Sequence, residues 1–103
     1  ILKLSLYDLF IQCKAVYFFA LTMIHPFQIR AARGLIGMSQ HELAAKSAVG
    51  LATIRRIEAR GRELSGTAKI LFRLQKALEA AGVIFLDGDD KVGPGIRLAA
   101  PLP

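Results

Sequence analysis

The sequence predicts an all-α bundle of short helices closed by a short C-terminal β-hairpin. Three observations predict it. Apolar residues recur at intervals of three and four between Phe27 and Ala81, the spacing that builds one face of a helix. Ser39 and Glu42 stand three apart at the head of one such segment, and a second short segment follows within a few residues. Beyond Gly82 the pattern changes: Val83-Ile84-Phe85-Leu86 and Ile96-Arg97-Leu98 are strand-like runs separated by turn-rich breaks. At 103 residues the chain has room for one domain with tails.

Residues 1–23 form an apolar leader unlike the rest. From Leu4 to Ile24 the chain is mostly apolar and aromatic, near the roughly 20 residues that span a bilayer. Asp8, Gln12 and Lys14 interrupt it, and a charge at the centre of a span costs about 2.5–3.5 kcal/mol. The uninterrupted part, Ala15 to Ile24, is too short to cross, and no clean cleavage motif follows it. The chain begins with Ile1, while Met23 stands just before the helical region. The expectation is a natural start at Met23, with residues 1–22 outside the native domain. A membrane tether through residues 4–24 is the alternative.

His25-Pro26 marks a boundary, and Pro26 suits the first turn of a helix. Phe27 to Ile36 carries Ile29, Ala32, Leu35 and Ile36 as an apolar stripe, and Gly37 ends it. Ser39 then opens a second helix as its N-cap, with Glu42 completing a capping box. Leu43 and Ala44 give that helix a small apolar face, and Ala44 suits the closest approach of a steeply crossing neighbour. Ser47-Ala48-Val49-Gly50 reads as a turn, with Val49 as its apolar anchor and Gly50 as the next N-cap. Ile54 and Ile57 mark the buried stripe of a third helix, with Thr53 one turn before Ile57. Leu51, Ala52, Arg55 and Arg56 fall largely off that stripe. Arg60-Gly61-Arg62-Glu63-Leu64 is a basic loop. Ser65 to Ala81 is the longest predicted helix, striped by Leu71, Leu74, Leu78 and Ala81, and Gly82 stops it. The helical domain is thus expected over residues 24–82, the β-hairpin over 83–98 and a fraying tail over 99–103. The hairpin needs a surface, either the helices or the same strands of a second subunit, because two strands alone are marginal.

Charge placement narrows the function. The formal net charge is +6 and the pI about 10.0. Ten cations and four anions lie between Ile24 and Ala80, so the whole excess sits in the helical region, while the flanks cancel. Nucleic acid is the favoured polyanion, since neutralised phosphates release counterions. Cys13 alone excludes an internal disulfide framework and a multi-cysteine zinc site. His41-Glu42-Leu43-Ala44-Ala45 begins like a zinc-protease HExxH, but Ala45 stands where the second histidine is required. Asp87, Asp89 and Asp90 are too closely spaced for a calcium loop and read as turn residues. No catalytic constellation emerges, and no metal or cofactor is expected; the chain reads as a binding protein, not an enzyme.

Two short helices in this order, with a capping box, a small residue and an apolar turn, are the layout of a helix-turn-helix. Residues 27–81 resemble the Xre-type, phage-repressor-like (lambda-repressor-like) helix-turn-helix family. The resemblance rests on Ile29 and Arg33 in the first helix, Met38-Ser39-Gln40 opening the second and Leu43-Ala44 within it. It continues with Val49 in the turn and with Thr53-Ile54 through Ile57-Glu58 in the third. It implies a compact all-α domain of four or five helices, in which Gln40 holds a phosphate or braces the recognition helix and Arg33 pairs with Glu58. The residues it assigns to DNA are Gln40, Gly50, Leu51, Ala52, Thr53, Arg55, Arg56, Arg60 and Arg62. Two departures stand out. Ala48 occupies a turn position where the family usually has glycine, so mild strain is expected there if φ is positive. Leu51 and Ala52 stand where polar residues are frequent; they can touch thymine methyls only, which leaves hydrogen-bonded readout to Arg55 and Arg56.

The leading expectation is a cytoplasmic, sequence-specific transcriptional regulator that binds double-stranded DNA as a homodimer through helix 51–59. An antitoxin-like module whose main partner is a toxin-like protein keeps the fold but changes the task. A membrane-tethered protein is a third reading.

Overall fold

The computed structural model describes residues 24–60 and 67–103. The expectations for the apolar leader and for Arg62 lie outside the described residues. Four helices and two strands follow in order: α1 (Pro26–Ile36), α2 (Gln40–Ser47), α3 (Leu51–Ala59), α4 (Ala68–Ala80), β1 (Val83–Leu86) and β2 (Gly95–Leu98). None of the described helices is long and apolar enough to cross a membrane.

Local chemistry sets the boundaries. Pro26 occupies the first turn of α1, and the Gln28 side chain accepts from the His25 N–H at 2.8 Å. Gly37 ends α1 in the left-handed region at φ 69°, a conformation that glycine adopts without a Cβ penalty. The capping box of α2 forms as expected: Ser39 Oγ accepts from the Glu42 N–H at 3.0 Å, and the Glu42 carboxylate accepts from the Ser39 N–H at 3.3 Å. The expected start of the longest helix at Ser65 is corrected, because Thr67 is extended and caps α4 by accepting from the Ile70 N–H at 3.3 Å.

One core serves all six elements. Ile29 and Ala32 of α1, Leu43 of α2, Ile54 and Ile57 of α3, and Leu71, Leu74 and Leu78 of α4 are buried together, with Val49 plugged in from the turn. Leu35 departs from the expected stripe and is 44% exposed. It lies six residues beyond Ile29, which turns it about 240° away from the inward face at 100° per residue, whereas Ile36 at seven returns to that face and packs on the core.

β1 and β2 pair antiparallel in the register Val83–Leu98, Ile84–Arg97, Phe85–Ile96 and Leu86–Gly95. Val83, Phe85 and Ile96 share one face and pack on the helical core. Of the two surfaces open to the hairpin, its own helices take it. Gln28, buried on α1, donates its amide to the Gly95 carbonyl at 3.0 Å and fastens the hairpin in place. Asp89 closes the connection by accepting from the Lys91 and Val92 N–H groups, both at 2.7 Å.

Candidate nucleic-acid interface

The interface is built outward from the inner side of α3. Ile54 and Ile57 anchor that helix in the core, and Glu58 joins them at 3% exposure. A carboxylate so deeply buried needs partners. Arg33 of α1 supplies them: its Nε donates to both Glu58 oxygens at 3.0 and 3.1 Å, and its Nη2 donates to Oε1. Arg33 Nη1 also reaches the Met38 carbonyl at 3.1 Å, tying the α1–α2 connection into the same cluster. Gln40 donates its amide to Glu58 Oε2 at 3.0 Å. Two helices, α1 and α2, thus converge on one carboxylate near the end of α3.

Anchoring one side of α3 fixes what the other side shows. Ala52, Arg55, Arg56, Ala59 and Arg60 are exposed, and Leu51 and Thr53 are half-buried at the rim. Arg55, Arg56 and Arg60 form no ion pair with a described carboxylate. Their charge is available to a polyanion, whereas that of Arg33 is spent on Glu58. Gly50 is exposed and extended at the head of α3, and its lack of a side-chain cap leaves the first N–H groups of the helix open. A Cβ there would meet only Thr53 Oγ1 at 3.8 Å, so neither space nor backbone angle requires this glycine.

The turn between α2 and α3 shapes the crossing. Ala48 is left-handed at φ 58°, the one described non-glycine residue with positive φ, as the departure from glycine foreshadowed. Ser47 supports it from below: its hydroxyl donates to the Leu43 carbonyl at 2.6 Å and accepts from the Val49 N–H at 3.3 Å. Arg30 is a contributor that the sequence analysis missed. Its Nη2 donates to the Glu58 carbonyl at 2.9 Å and so caps the C-terminal end of α3. The signal was present, since Arg30 stands one turn before Arg33 on the same helix.

The family model for helix-turn-helix domains matches residues 29–80, about half of the chain. The chain belongs to the Xre and lambda-repressor-like helix-turn-helix family. No curated protein matches the chain. As a helix-turn-helix protein it carries a DNA-binding domain, and DNA is its partner. The matched residues span α2, α3 and the turn that joins them. In this helix-turn-helix domain Gln40 carries a bracing contact, with one amide hydrogen committed to Glu58 and a second without an acceptor among the described residues.

Proposed function

We propose that this protein is a sequence-specific transcriptional regulator that reads the DNA major groove with α3 and binds as a homodimer in the cytoplasm, where its operator lies. The observation that carries the reading is the division of α3 into two sides. Ile54, Ile57 and Glu58 are locked inward, while Ala52, Arg55 and Arg56 project from a helix whose angle the Arg33–Glu58–Gln40 cluster fixes. Rigid presentation matters because base readout demands hydrogen bonds in a fixed fork geometry.

Within this reading each predicted site residue has a task. Arg55 and Arg56 donate to guanine edges, and Ala52 and Leu51 lie against thymine methyls. Gly50 and Thr53 bring the head of α3 close to the backbone. Arg60, Arg62 and the second amide hydrogen of Gln40 fix the register on phosphates. The regulatory unit is residues 24–82 with the hairpin of residues 83–98 as its buttress. Regulation then works through concentration or a partner, and the chemistry is binding, not catalysis.

Genome-wide footprinting of the protein should yield discrete palindromic sites, and one such site serves as the operator fragment. Replacing Arg55 and Arg56 together with alanine should abolish the specific shift of that fragment, since a bidentate arginine–guanine contact contributes roughly 1–3 kcal/mol. Both side chains are exposed, so the circular dichroism spectrum should not change. A double variant that shifts the operator as well as the parent would refute the assignment of α3.

A further inference from the structure

A second charged surface lies at the end of α2 remote from Gln40. Lys46 lines one side of an open groove of about 340 Å³, and Phe72, Arg73, Lys76 and Ala77 of α4 line the other. Phe72 is 52% exposed, an unusual position for a large aromatic ring. The Lys76 ammonium sits 5.2 Å from its centroid. Glu79 partly offsets Lys76 at 3.5 Å, but Lys46 and Arg73 have no described acidic partner. The floor is apolar, the rim is basic, and none of the described lining residues is acidic.

The hairpin connection has the complementary composition. Asp87, Asp89 and Asp90 are exposed beside Val92, itself 62% exposed, and Leu86 at 38%. The tip is preformed, because Asp89 is held by the Val92 and Lys91 N–H groups. Lys91 offsets one of the three aspartates, which leaves the tip acidic around an apolar centre. In its own chain the tip does not line the groove.

We propose that the acidic hairpin tip of one copy docks in the basic α2–α4 groove of a second copy. Val92 lies against Phe72 and Ala77, while Asp87 and Asp90 face Lys46 and Arg73. Reciprocal docking closes a two-fold dimer. The proposal rests on the homodimer reading above and names its interface. It uses none of the residues assigned to DNA above.

Sedimentation equilibrium of the full chain without DNA tests it. The wild type should be a dimer that loosens at least tenfold between about 0.05 and 0.5 M salt, as exposed charge pairs are screened. Lys46→Glu with Arg73→Glu, and separately Asp87→Lys with Asp90→Lys, should each give monomers. An equimolar mixture of the two double variants should restore the dimer, because each supplies the charge that the other lacks. Phe72→Ala keeps every charge and should weaken association about tenfold, as loss of an aromatic anchor does. Double variants that dimerise like the wild type would overturn the interface and leave the homodimer reading standing. A mixture that stays monomeric would overturn the charge pairing, and a monomeric wild type would remove both.

Discussion

Replacing Arg33 or Glu58 should destabilise the protein more than any change on the outer face of α3, and by unequal amounts. Arg33→Ala strands the Glu58 carboxylate at 3% exposure, with only the Gln40 amide, among the described residues, left to bind it. Removing one partner of a buried pair costs about 3–5 kcal/mol, and this change belongs at the upper end. Glu58→Ala strands a guanidinium whose side chain is 17% exposed and which still donates to the Met38 carbonyl, so it belongs nearer 3 kcal/mol on that same scale. Arg33→Met with Glu58→Leu removes both charges together and should cost less than either alanine variant, because no charge is left unpaired. Urea denaturation of the wild type, Arg33→Ala, Glu58→Ala and the double variant Arg33→Ala with Glu58→Ala would give the coupling between the two positions. About 2–4 kcal/mol is expected from a buried, bidentate pair. A coupling near the 0–1 kcal/mol of exposed pairs would refute the view that this cluster fixes α3.

Four further outcomes follow from the packing. Ala44→Leu should lower the urea midpoint by an amount equivalent to about 1–3 kcal/mol, since Ala44 packs on the core where α2 crosses its neighbours; an unchanged midpoint would place it outside that contact. Ala48→Gly should raise stability by about 0.5–1 kcal/mol, because relief of a left-handed alanine exceeds the added entropy of the unfolded chain, and calorimetry would detect the rise. The Val92 and Lys91 N–H groups hold the Asp89 carboxyl below its ordinary 3.8. The turn therefore keeps this contribution above that value and loses it as pH falls through the lower folded-state pKa, which amide chemical shifts of Val92 and Lys91 would follow. Truncation after Gly82 should cost about 3–6 kcal/mol from the lost burial of Val83, Phe85 and Ile96, and a shortened chain with an unaltered melting midpoint would show that the hairpin is dispensable.

Periodicity and caps carried much of this fold in the sequence. The Ser39–Glu42 box, Val49, the Ile54/Ile57 stripe and the Leu71/Leu74/Leu78 ridge depend on interactions between residues close in the chain, so linear spacing reveals them. The pairing of Arg33 with Glu58 was legible only through resemblance to a family, since no local rule links residues 25 apart. Tertiary structure alone decided the rest. It turned Leu35 outward, committed the Gln40 amide to Glu58, recruited Arg30 to the end of α3 and laid the hairpin on α1 through Gln28. Each of these outcomes depends on which surfaces meet across the core. The sequence determined which helices form and which faces are apolar; only their packing decided which polar side chains are spent inside the molecule and which remain on its surface for DNA.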